Sequence, residues 1–122
     1  MAKQADFEAI FLELKKILEP YAPKLVVVSD TGSNYYLDTA HVMKNKKPLF
    51  FGSVRIGKAY VSYYLMALYL YPDLLDNVSP ELKKRMQGKS CFNFKTLDKE
   101  LLKELARVTK QCFARYEAEG YV

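Results

Sequence analysis

The chain is short of the residues that build covalent or metal-held frameworks: two cysteines and one histidine stand among 122 residues. Cys91 and Cys112 lie in different segments, with neither CxxC spacing nor a histidine beside them. Together with His41 they fall short of the roughly four ligands that a structural zinc needs. Both are expected as small buried apolar residues, and no disulfide is expected in a reducing compartment. Five glycines and five prolines are too few for a collagen-like or linker composition. The longest uncharged, apolar-rich stretch is Ala59–Pro72, which carries five tyrosines and is shorter than the ~20 residues of a membrane-spanning helix. The opening residues Met1-Ala2-Lys3-Gln4-Ala5-Asp6 do not lead into the apolar core of a secretory signal. These absences predict a soluble, cytoplasmic chain with no membrane segment and no cofactor.

Half of the residues are apolar or aromatic, too many for a disordered tail. The length suits one domain, spanning residues 1–122. Phe7, Ile10, Phe11, Leu14, Ile17 and Leu18 recur with helical spacing. Asp6 is the expected N-cap, and Pro20 and Pro23 stop the helix because proline has no donor. Leu25–Val28 is β-branched and reads as a strand. Asp30–Asn34 reads as a turn, Tyr35–Leu37 as a second short strand, and polar, basic Asp38–Lys47 as a loop. Leu49–Ile56 and Ala59–Leu65 read as a third and a fourth strand. The Gly57-Lys58 pair between them predicts an antiparallel hairpin with a type II′ turn. Asp73–Leu75 is a short helical turn. Ser79-Pro80-Glu81 starts a short helix that Gly88 ends as a left-handed cap. Ser90–Phe94 alternates as a fifth strand, and a long helix runs from about Leu97 to Glu117 with Thr96 as its cap. This order predicts an α+β domain: a mainly antiparallel sheet of about five strands, with the N- and C-terminal helices packed on one face.

Acidic residues are missing from two stretches. Thr39–Pro72 holds Lys44, Lys46, Lys47, Arg55 and Lys58, and Leu82–Leu97 holds Lys83, Lys84, Arg85, Lys89 and Lys95. The net charge of +5 is therefore concentrated in the central hairpin and around the short helix with the strand after it. Such blocks suit an anion, whether a phosphate, a carboxylate or nucleic acid. Ten tyrosines are present, five of them between Tyr60 and Tyr71. In a strand over Ala59–Leu65, Tyr60 and Tyr64 share one face, and Val61, Tyr63 and Leu65 share the other. A tyrosine-lined concavity offers ring area for contact and hydroxyls for direction, which suits a small amphipathic ligand.

Catalytic patterns are missing too: there is no GxSxG, Walker or GxGxxG motif, and Asp30-Thr31-Gly32 is a turn without the second half of an aspartic protease site. The segments Lys47–Phe51, Tyr60–Met66, Tyr71-Pro72 and Met86–Phe94 together resemble the YdhG-like domain family. These are small bacterial proteins, some described as frataxin-like intracellular iron chaperones. The resemblance covers roughly residues 25–115, and its best marker is Gly88-Lys89 leading into a strand before the last helix. It implies an α+β sheet-and-helix domain and supplies no catalytic residue.

The resulting expectation is a non-enzymatic module, monomeric or homodimeric. It binds a small anionic or aromatic ligand through Tyr36, Arg55, Tyr63 and Lys89 in a groove between the sheet and the short helix. Iron binding, implied by the resemblance, is the first alternative. A nucleic-acid accessory role is the second, although no RNP, GXXG or zinc-finger pattern is present.

Overall fold

The structure is a computed structural model that describes residues 4–88 and 90–122. It is an α+β domain built on one six-stranded, fully antiparallel sheet. The strands are β1 (Val26–Asp30), β2 (Asn34–Val42), β3 (Pro48–Ile56), β4 (Val61–Leu65), β5 (Met86–Gln87) and β6 (Cys91–Phe94), in the order β1-β2-β3-β4-β6-β5. Helices α1 (Gln4–Leu18), α2 (Met66–Leu70), α3 (Pro80–Lys83) and α4 (Lys99–Ala118) complete the fold.

Helix α1 buries Phe7, Ile10, Phe11, Leu14 and Leu18, the stripe read from its periodicity. It begins at Gln4, so Asp6, expected as the cap, lies inside the helix. Pro20 and Pro23 shape a 3-10 segment over Glu19–Lys24. Helix α4 buries Leu101, Leu105, Val108, Thr109, Cys112, Phe113 and Tyr116. Its cap is Asp98, not Thr96: the carboxylate accepts from the backbone N–H groups of Glu100 and Leu101. Leu97 therefore stays outside the helix and exposed. Cys91 and Cys112 are both buried and free.

The strands bury alternate residues against α1 and α4: Tyr35 and Leu37 on β2, Phe51 and Val54 on β3, Val61, Tyr63 and Leu65 on β4, Phe92 and Phe94 on β6. A bulge in the β2–β3 ladder sets Leu37 against Gly52 and Asp38 against Phe50, leaving Phe51 as the extra residue. Both Phe51 and Gly52 then face inward. The Tyr116 hydroxyl, 2.8 Å away, donates to the Phe50 carbonyl and ties α4 to this irregularity. A side chain at position 52 would collide with the Tyr64 carbonyl, 2.9 Å from a Cβ placed there.

Three further readings need correction, and α2 has no counterpart among them. Asp38–Val42 is not loop but the continuation of β2, because the chain pairs with β3 as far as Val42↔Pro48. Buried Thr39 is accommodated there by donating to the Leu49 carbonyl at 2.9 Å. The β3–β4 hairpin is antiparallel as expected, but four residues join its strands, closed by Gly57 N–H to the Tyr60 carbonyl at 2.9 Å. Gly57 keeps out of the positive-φ region that a type II′ turn requires. The uncharged run after β4 turns directly into α2 at Met66, without a turn residue to announce it. Finally, the helix begun by Ser79, whose hydroxyl accepts from Leu82 N–H, ends at Lys83. Met86-Gln87 then forms a sixth strand, and Gly88 uses its φ of 77° in the connection to β6.

Candidate ligand-binding site

The helices cover one face of the sheet, and strand parity dictates what the other face presents. One cross-strand row runs through all six strands: Ser29, Tyr36, Ser53, Tyr64, Cys91 and Gln87. The adjacent row toward the β3–β4 loop is Asn34, Arg55, Ser62 and Asn93. On the other side, Asp38 and Phe50 pair with each other.

The small residues in these rows lie low and form a floor: Ser53, Ser62 and Cys91 are buried between larger neighbours. Tyr36 and Tyr64 stand on either side of Ser53. Two strand spacings put their backbones about 9.5 Å apart. Phe50 stacks on Tyr36 with ring centroids 4.6 Å apart and planes inclined by 24°. The result is a slot of about 420 Å³ lined by Asn34, Tyr36, Phe50, Ser53, Arg55 and Tyr64. Two walls are aromatic, and one end is a guanidinium and an amide.

The electrostatics of the slot are simple. Arg55 is exposed and, among the described residues, forms no ion pair. Burial raises the Tyr36 phenol above its ordinary value, and the Asp38 carboxylate adds to the effect. Burial likewise raises Tyr64, with the Cys91 thiol adding to the effect, whereas Ser62 and Arg55 pull it down. Asp38 is raised by desolvation alone. Both phenols are thus neutral near pH 7, able to donate or accept, and the unpaired cation is the group that selects charge.

Beyond Tyr64 the open face is knitted by polar side chains. Ser62 donates to Asn93 Oδ1 at 2.9 Å, Asn93 Nδ2 donates to Gln87 Oε1 at 2.9 Å, and the Tyr60 hydroxyl donates to the same Gln87 oxygen at 3.3 Å. A larger depression, about 620 Å³, lies between the starts of α3 and α4, and three of the four acids lining it are engaged, all but Glu81. Glu104 accepts from Ser79 N–H and its hydroxyl and pairs with Arg107, Asp98 caps α4, and Glu100 pairs with Lys103. That depression is a structural joint between helices.

Of the four expected contacts, Tyr36 and Arg55 come together in the slot. Tyr63 does not: it is fully buried on the helix side, its hydroxyl 2.7 Å from Thr109 Oγ1. Tyr64 occupies the place given to it. Lys89 lies outside the described residues. The sequence reading also missed Phe50, Ser53 and Asn34.

The signal for Tyr64 was available. Arg55 cannot face an apolar core, and whether the hairpin loop has two residues or four, antiparallel pairing puts Arg55 on the face of Tyr60, Ser62 and Tyr64. The groove is also not between the sheet and the short helix, since α3 packs on α4 behind the sheet.

The two basic blocks meet only in part. β4 pairs with β6, which brings the ends carrying Arg55, Lys58 and Lys95 together. Lys44, Lys46 and Lys47 lie at the opposite end of β3, about 25 Å away by strand rise. His41 packs its ring on Tyr121, centroids 4.7 Å apart. No three His, Cys, Asp or Glu side chains converge as a metal site among the described residues, and no helix there is long and apolar enough to cross a membrane. No family profile, curated protein or solved structure matches the chain.

Proposed function

We propose that this protein is a binding module for a small planar anionic ligand, held on the open face of the sheet. The observation that carries the reading is the aromatic slot closed at one end by the unpaired guanidinium of Arg55. A planar ring between Tyr36 and Tyr64 exchanges water for aromatic contact on both faces. A carboxylate or phosphate on its edge meets Arg55, whose fork of donors suits either group. Ser53 makes the slot possible, since a larger residue there would fill it.

Membership of the YdhG-like family, which the motif order resembles, stays a proposal, since no family profile matches the chain. Iron binding gains no support from the arrangement of acids: Glu8, Glu13 and Glu19 are spread along α1 and the segment after it, and join no metal-ligand cluster.

Calorimetry with 2-naphthoate, a planar aromatic carboxylate, tests the reading. Binding to the wild-type chain should weaken about tenfold in Arg55→Ala, the loss of a charge-assisted hydrogen bond at a partly exposed site. It should fall below detection in Tyr36→Ala/Tyr64→Ala. Absence of binding to the wild type, or equal binding to all three proteins, would overturn the proposal.

A further inference from the structure

A second depression of about 240 Å³ adjoins the slot, lined by residues that include Lys58, Tyr60, Ser62 and Gln87. The two share Arg55 and Tyr64, so they form one bent groove along the open face. Their chemistry differs. The slot is walled by aromatic rings, whereas the second depression presents an excess of donors. The acceptors there are already used: Gln87 Oε1 takes the Tyr60 hydroxyl and Asn93 Nδ2, and Asn93 Oδ1 takes the Ser62 hydroxyl and the Cys91 thiol. What remains unengaged among the described residues lining it is the Lys58 ammonium, the Arg55 guanidinium, the Gln87 amide nitrogen and the Tyr64 hydroxyl. Two cations and an amide N–H, with no carboxylate lining the depression, match a group with several anionic oxygens better than a single carboxylate.

We propose that the groove is a bipartite site for a nucleoside monophosphate. The base lies in the slot between the Tyr36–Phe50 pair and Tyr64, and the phosphate lies in the second depression against Arg55, Lys58 and Gln87. This rests on the reading of the slot given above and names its ligand class. Arg55 and Tyr64, common to both parts, flank the position of the ribose that links base to phosphate.

The test is calorimetry at low salt with AMP, adenosine, 2-naphthoate and a ten-nucleotide oligo-dA. AMP should bind about tenfold tighter than adenosine, the increment expected of charge-assisted phosphate contacts. Lys58→Ala should shrink that ratio toward one. Equal affinity for AMP and adenosine, or a ratio that ignores Lys58→Ala, overturns the bipartite assignment while bound 2-naphthoate keeps the slot. No binding of any probe removes the slot reading and this one with it. Oligo-dA binding far tighter than AMP, with a steep fall in added salt, overturns the mononucleotide in favour of a single strand laid across the face.

Discussion

The Tyr63 hydroxyl is the sharpest probe of which face of the sheet is core. Thr109 Oγ1 sits 2.7 Å from it and 2.8 Å from the Leu105 carbonyl. A carbonyl can only accept, so the single Thr109 proton goes to Leu105 and Tyr63 is the donor to Thr109. Tyr63→Phe then removes one buried hydrogen bond but leaves Thr109 satisfied, at a cost of about 1 kcal/mol. Thr109→Val keeps the shape but strands a fully buried hydroxyl, at a cost of about 2–3 kcal/mol. Pairing the two substitutions removes donor and acceptor together, so the double variant should be more stable than Thr109→Val alone. The coupling should be about 1 kcal/mol or more. Urea unfolding followed by far-UV circular dichroism resolves this, since 1 kcal/mol moves the midpoint by about 0.5 M when m is near 2 kcal/mol/M. Tyr64→Phe, on the open face, should change stability by less than about 0.5 kcal/mol. Additive costs for Tyr63 and Thr109, or a Thr109→Val no worse than Tyr63→Phe, would mean that the hydroxyl reaches water and that the faces are assigned the wrong way round.

Further consequences follow from the same packing. Burial pushes the Cys112 thiol from its usual 9.0 up to about 12, with Arg115 opposing, and pushes Tyr63 well above the usual phenol value of 10.0. The folded state thus holds protons that the unfolded chain releases, so this stability is complete below about pH 9 and declines as pH rises beyond it. Thermal melts should show a falling Tm between pH 9 and 11, and a flat profile would contradict the burial. Gly52→Ala should cost about 1–3 kcal/mol, because its Cβ would press on the Tyr64 carbonyl; an unchanged urea midpoint would refute that close approach. Ser79→Ala should cost about 1–2 kcal/mol, since the hydroxyl both caps α3 and joins Glu104 of α4. Glu104→Gln, which keeps the shape and one of the two acceptors, should cost less than Glu104→Ala in the same assay.

Much of this architecture is legible in the residues. The spacing of Phe7 to Leu18 and of Leu101 to Tyr116 marks the two helices that cover the sheet, and Ser79-Pro80 marks the start of α3. The hairpin pairing of β3 with β4 follows from two β-rich runs close in sequence. What escapes has physical causes. Met86-Gln87 is too short to show a period, and it is a strand only because β6 lies beside it. Asp38–Val42 looks like loop because polar Thr39 and His41 occupy the inward positions, yet the ladder with β3 holds it extended. Met66 opens a helix inside a uniformly apolar run, where period alone distinguishes little. At the site, alternation separates Tyr63 from Tyr64, but only the charge of Arg55, carried across the hairpin, says which of them faces water. Counted by twos from Arg55, Phe51 would face outward and Phe50 inward, and only the bulge reverses them.

The central claim is that the open face, centred on Tyr36, Ser53, Arg55 and Tyr64, is where this protein holds its ligand. Amide chemical-shift mapping during titration with 2-naphthoate tests it directly. Saturating shifts should appear along β2, β3 and β4 at those positions, need about tenfold more ligand in Arg55→Ala, and vanish in Tyr36→Ala/Tyr64→Ala. Shifts centred on the α3–α4 depression, or a spectrum that does not move, would contradict it.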